Sequence, residues 1–203
     1  MFTPARLIPT MLFMGLSIGF TVSLSSCVVP AVLAVGAAAG VTGKAVADDS
    51  RSMKTIQQDH NSTQFAQNWL NQDPALEDHS HVTILVFNHV ALLVGQADTS
   101  ALRDRAYQIA SRTPNVKRIY NEITIESSIS KTARMKDSWI TTKVRTTLLA
   151  EKGLNSSTVT VLTENSTVYL IGMLSRSQAE LAVGAAQSVD GVSKVIKVFE
   201  YTA

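Results

Sequence analysis

Cysteine is almost absent from this chain, and the single Cys27 cannot close an internal disulfide, so the fold is not stapled that way. Aromatic residues are few, at 6%. Charge of one sign is not in excess: the formal net charge is +2, too small to identify a nucleic-acid binder. No phosphate-binding glycine loop occurs, which removes the commonest nucleotide-binding signature. The four histidines, His60, His79, His81 and His89, lie close together, but no carboxylate or Cys stands at metal-ligand spacing from them. His79-Ser-His81 is at most a weak metal-binding pair, and neither a metal nor another cofactor is expected. Nothing in these residues predicts an enzyme.

What is present begins at the N-terminus. Arg6 is followed by an uncharged run from Leu7 to Val22, rich in Leu, Ile, Met and Phe, and then by Leu24-Ser25-Ser26-Cys27. A basic end, an apolar core and small residues before a cut describe a signal peptide. The Leu-Ser-Ser-Cys ending resembles the bacterial lipobox. That resemblance implies a diacylglyceryl group on the Cys27 thiol, cleavage just before it and acylation of the new amine. Several acyl chains anchor stably where one would be marginal. The residues after Cys27 are Val28 and Val29, with no Asp of the kind that retains such proteins in the inner membrane, so the resemblance favours the outer membrane. Val28 to Ala47 is small and apolar but holds Pro30 and is short for a spanning helix once Lys44 is excluded. It reads as a tether.

The rest of the chain is one unit written twice. Val82-Thr-Ile-Leu-Val-Phe-Asn-His-Val-Ala-Leu-Leu-Val-Gly95 aligns with Val159-Thr-Val-Leu-Thr-Glu-Asn-Ser-Thr-Val-Tyr-Leu-Ile-Gly172, placing Asn88 on Asn165 and Gly95 on Gly172. Ala106 then matches Ala182, and Asn115-Val116 matches Gly191-Val192. Alternating apolar residues around an Asn-containing turn predict a hairpin in each copy, its second run ending at the glycine. Ser100 to Arg112 and Ser177 to Val189 read as capped helices. A last strand follows each. Helices at roughly Thr55 to Leu70 and Asp137 to Glu151 precede the hairpins. The order is α-β-β-α-β: an α+β fold in which two helices cover one face of a three-stranded mixed sheet. The expected division is a signal peptide over 1–26, a lipidated tether over 27–51, and domains over 52–128 and 129–203.

This pattern resembles the BON domain. The residues that carry the resemblance are VALLVGQ before a capped helix, the Asn115-Val116 and Gly191-Val192 turns, and DSWITTKVRTTLL opening the second copy. With the lipobox and the tether, the chain resembles the dual BON-domain outer-membrane lipoproteins. Asn115, standing where glycine is usual, is the clearest departure. The resemblance implies an outer-membrane location facing the periplasm and a second domain that binds anionic phospholipid through its leading helix. It also implies a part in outer-membrane integrity, with concentration at division sites as a further expectation.

The residues of that helix are consistent with this. At 100° per residue, Ile140, Val144 and Leu148 form one stripe, and Trp139 points about 140° from its centre. Lys136 and Lys143 lie near Trp139, one turn to either side. An indole off the core face, flanked by ammonium groups, suits the depth of lipid headgroups. The candidate phospholipid-binding residues are therefore Trp139, Lys143, Lys136 and Arg145, the last two on charge and geometry alone. Net charge agrees: between Cys27 and Ser130 eight Lys/Arg face ten Asp/Glu, but from Lys131 onward nine face six. Trp69, with Phe65 four residues earlier, reads as core. The alternative function is a periplasmic scaffold that docks on outer-membrane assembly proteins, with Trp139 as a protein hot spot.

Overall fold

The computed structural model describes Asp49 and residues 51–202. Cys27, the signal peptide and the tether up to Asp48 lie outside the described residues.

Each copy folds as α-β-β-α-β. In the first, α1 (Met53–Gln72) leads into β1 (Ser80–Phe87) and β2 (Val90–Ala97), then α2 (Ser100–Ser111) and β3 (Arg118–Ile125). In the second, α3 (Lys131–Ala150) is followed by a short 3-10 turn, β4 (Val159–Glu164), β5 (Thr167–Leu174), α4 (Arg176–Gln187) and β6 (Lys194–Tyr201). The hairpins are antiparallel, and the third strand of each sheet joins the second in parallel, giving orders β1-β2-β3 and β4-β5-β6. The α+β reading with mixed three-stranded sheets holds.

Both leading helices start earlier than the apolar pattern suggests. Ser52 caps α1 by accepting from the Thr55 N–H, and Ser130 caps α3 by accepting from the Ala133 N–H, so α3 opens six residues before Asp137. Those opening turns are polar and carry no core stripe, which is why periodicity misses them. The strands also run past their glycines: Gly95 pairs with Val82 inside β2, and Gly172 with Val159 inside β5.

Each sheet buries both faces. Val82, Ile84, Val86, Ala91 and Leu93 pack under α1 and α2, and Val161, Val168 and Leu170 pack under α3 and α4. On the opposite faces Leu85, Phe87, Leu92 and Val94 meet Leu162, Tyr169 and Ile171 in a third apolar cluster that joins the domains. The described chain is thus four layers: helices, sheet, sheet, helices. Sheets buried on both sides explain why Leu85-Val86-Phe87 and Ala91 to Val94 read as continuous apolar runs. Polar bonds at the rim of this interface are reciprocal. The Asn88 side chain of the first hairpin turn donates to Glu200, and Asn165 of the second donates to Glu126 at 3.5 Å. Inside, Gln96 donates to Glu164 at 3.0 Å, and its own carbonyl accepts from the Ile129 N–H of the interdomain linker.

A second internal repeat is carried by aspartates. Asp59 on α1 accepts from the backbone N–H of Asn88 and of His89, and Asp137 on α3 accepts from those of Asn165 and Ser166. These turn residues all have positive φ, between 47° and 64°, so each carboxylate clamps a tight left-handed turn to its helix. Burial pushes the Asp137 carboxyl above the usual range, although both N–H bonds pull it down. Asp59 also takes Arg51, whose guanidinium binds Asp49 and stacks over Phe87 at 3.8 Å. Burial alone would raise the Asp49 pKa, but the bonds and charge of Arg51 bring it below the ordinary value. Asp49 and Arg51 are thereby fixed to α1 and to Phe87 of the interdomain cluster.

Tyr169 supplies a pH readout of that cluster. Burial first, then the charges of Glu122 and Glu164, push its phenol up to about 12. A folded-state pKa above the unfolded one gives stability that is complete below the unfolded pKa, near 10, and lost as pH rises through the folded value. A late phenolate absorbance step is expected to coincide with loss of tertiary packing as pH passes from about 10 to 12. Tyr169→Phe is expected to delete that step in a spectrophotometric titration. An unchanged titration in Tyr169→Phe would mean that another tyrosine carries it.

Candidate functional site: the outer face of the second domain's leading helix

Helix α3 is anchored on its inner side by Ile140, Val144 and Leu148, all at most 1% exposed, and by the clamp of Asp137. The other side is also apolar. Met135 is 73% exposed, Trp139 63% and Leu149 76%. On a helical wheel these three fall within about 80° of one another, away from the core stripe. Trp139 and Lys143 were expected from the wheel and from the family resemblance together. Met135 and Leu149 were missed, and the signal that would have found them is the same wheel applied to apolar residues outside the core stripe.

The cations divide. Lys143 holds its Nζ 5.8 Å from the Trp139 ring centroid, a cation–π distance. Lys136 is exposed one turn away on the same side, its stem passing Gly191. Arg145 is not brought to them. It lies about 120° around the helix from Trp139 and donates to the Val161 carbonyl at 3.3 Å. Burial lowers its pKa from the ordinary arginine value. The structure thus groups Trp139, Lys143 and Lys136 and sets Arg145 against the sheet.

The hydroxyls of α3 matter as well. Ser138 donates to Arg134 O, Thr142 to Ser138 O, Thr146 to Thr142 O and Thr147 to Lys143 O, at 3.0 to 3.1 Å. Every one of these donors is already satisfied within the helix. Moving this face out of water therefore strips few unspent polar groups, which keeps its desolvation cost low.

The histidines are dispersed. His79 Nδ1 lies 3.1 Å from Asp98, His89 Nδ1 lies 3.0 Å from the Asn115 carbonyl, and His81 Nδ1 is 3.5 Å from Glu164 without a hydrogen bond. Among the described residues no three His, Cys, Asp or Glu side chains converge as metal ligands, and no helix is long and apolar enough to cross a membrane. The first domain corrects one sequence expectation. Phe65 and Trp69 are not core: they are 54% and 40% exposed, with ring centroids 6.1 Å apart. Their i, i+4 spacing puts them on one side of α1, but the stripe of Ala66 and Leu70, one position on, is what fills the core.

Fold and site define a class: a tandem α+β repeat, packed sheet to sheet, whose second copy carries an amphiphilic outer helix face. Comparison with known proteins is consistent with this. The BON domain family matches residues 65–127 and 136–203. The outer membrane lipoprotein DolP of Haemophilus influenzae is 34% identical over 188 residues, covering 93% of this chain and 95% of that protein. The 21 kDa hemolysin of Actinobacillus pleuropneumoniae is 39% identical over 132 residues, covering 65% of this chain and 68% of that protein. The chain belongs to the BON-domain family, among its dual-domain outer-membrane lipoproteins.

Proposed function

We propose that this protein is a non-enzymatic lipoprotein, held by acyl chains on Cys27 in the outer membrane and facing the periplasm, whose second domain binds anionic phospholipid through the outer face of α3. The observation that carries this reading is the exposure of Met135, Trp139 and Leu149 on a helix whose opposite face is fully buried. Unpaired apolar side chains bordered by Lys136 and Lys143 fit the interface of a bilayer: the indole sits at headgroup depth and the ammonium groups reach phosphates. The tether keeps the domain close to the membrane, so a weak patch suffices and can prefer one lipid composition over another. Support of outer-membrane integrity, with enrichment where anionic lipid concentrates such as division sites, follows from that preference.

The test is vesicle binding by a soluble form beginning at Asp48. Binding is expected with vesicles containing anionic lipid, to be weak with neutral ones, and to fall with added salt. Trp139→Ala is expected to weaken it about tenfold or more, since the lost interfacial area is worth on the order of 1.5 kcal/mol or above. A folded protein that ignores both kinds of vesicle would overturn the proposal.

A further inference from the structure

The two copies share their scaffold and differ in what they expose, so each serves as a control for the other. The clamp aspartates Asp59 and Asp137 align α1 with α3, which places Trp69 opposite Thr147 and Phe65 opposite Lys143. Ala106 and Ala182 align α2 with α4, which places Arg105 opposite Leu181 and Arg112 opposite Ser188. The second copy folds with different residues at these four positions, so the shared scaffold does not dictate their identity. They meet nonetheless. Trp69, Pro74, Arg105, Ile109 and Arg112 line one groove of about 340 Å³ between α1 and α2, with Phe65 against Trp69 at its edge.

The chemistry of the groove is mixed. Trp69, Pro74 and Ile109 supply its apolar lining, and Gln72, Asp73 and Gln108 supply polar groups beside the two arginines. Arg105 donates from Nε to Oδ2 of the buried Asp73 at 2.8 Å and pairs with the same oxygen through Nη2 at 2.8 Å, which fixes its guanidinium at the groove. Arg112 is exposed, and neither its guanidinium nor the Trp69 indole N–H has a hydrogen-bond partner among the described residues. Unspent donors beside exposed aromatic surface are what protein hot spots are made of, and the free cation selects for a carboxylate.

The layer order decides between a protein and a second membrane. Helices α1 and α2 cover one outer side of the four-layer sandwich, and α3 and α4 the other. When Trp139 faces the bilayer, the Trp69 groove faces away from it. The residues between Cys27 and Ser130 also carry a net charge of −2, eight Lys/Arg against ten Asp/Glu, which disfavours an anionic surface. We propose that the α1–α2 groove of the first domain docks a segment of another protein that presents an apolar side chain next to a carboxylate, the apolar group against Trp69 and the carboxylate on Arg112. The choice of a protein occupant rests on reading Trp139 as the membrane face.

The test uses the full-length lipoprotein in its own membrane, with photoreactive benzoylphenylalanine in place of Phe65 and, separately, in place of Trp139. Irradiation at position 65 is expected to give an adduct to another protein, with Asp or Glu beside an apolar residue in the crosslinked peptide. Arg112→Glu, at an exposed position where thermal unfolding serves as the folding check, is expected to cut that adduct at least about tenfold. No adduct at position 65, one to lipid, to a second copy or to the chain's own tether, or one indifferent to Arg112→Glu, would overturn the docking site. Position 139 tests the lipid reading on its own: a lipid adduct there supports it whatever position 65 reports, and its absence leaves a protein adduct at position 65 to be judged by its sequence and its charge dependence.

Discussion

Gly95→Ala is expected to destabilise the first domain by about 4 kcal/mol or more, among the largest losses one methyl group produces. Gly95 sits inside β2 with φ of 127°, a conformation costly for any residue with a Cβ. Space forbids it independently: an added Cβ would lie 1.9 Å from the His81 carbonyl oxygen. That carbonyl belongs to the neighbouring strand, so relief requires the β1–β2 ladder to part. Since His81 lies beside Glu164 of the second domain, the interdomain face would move with it. Gly172→Ala is the internal comparison. Its Cβ would lie 2.3 Å from the Thr158 oxygen, but Gly172 has no positive φ, and Thr158 belongs to a short turn at the start of β4 that yields more readily. About half the loss is expected there. Urea unfolding of both variants, followed by circular dichroism, measures the difference. A Gly95→Ala protein within about 1 kcal/mol of the parent would mean that the sheet relaxes far more than its register implies.

The same pair of glycines shows where sequence reasoning reached and where it stopped. Duplication made Gly95 and Gly172 visible as equivalent positions, and alternation around Asn88 and Asn165 marked the hairpins, because both signals are local and repeated. What neither signal contains is the second side of the sheets. Leu85, Phe87, Leu92 and Val94 gave runs without alternation, and only the sheet-on-sheet layer explains them. The buried Gln96–Glu164 bond was out of reach for a related reason: its partners are 68 residues apart and neither sits in a motif. At the candidate site the wheel placed Trp139, Lys136 and Lys143 correctly relative to the core stripe, since helical geometry alone decides that. It could not show that Arg145 turns to the Val161 carbonyl, because a long side chain chooses its partner from the neighbouring strand. Phe65 and Trp69 mark the limit most clearly: spacing says which residues share a side of a helix, and packing decides which side is inside.

The outer face of α3 gives the largest expected functional effect, because its apolar residues are spread along the helix. Trp139 and Leu149 are ten residues apart, about 15 Å along the axis. Groups that far apart act nearly independently, so their losses add. Leu149→Asp removes a side chain that is 76% exposed to water before binding and places a charge where the acyl boundary would be. A loss of about 2 kcal/mol is expected, or roughly thirtyfold in vesicle affinity. Combined with Trp139→Ala, the loss reaches several hundredfold, on the order of 3.5 kcal/mol. Because both side chains point away from the Ile140–Val144–Leu148 stripe, thermal unfolding should shift little in either variant. That separation of affinity from stability is the discriminating feature. If Leu149→Asp left vesicle affinity unchanged while Trp139→Ala reduced it, the helix would not lie along the bilayer, and the contact would be a single aromatic insertion near the Met135 end. If both variants lost affinity in proportion to lost stability, the face would be structural. Additive loss with intact folding is what a helix lying flat on a headgroup layer requires.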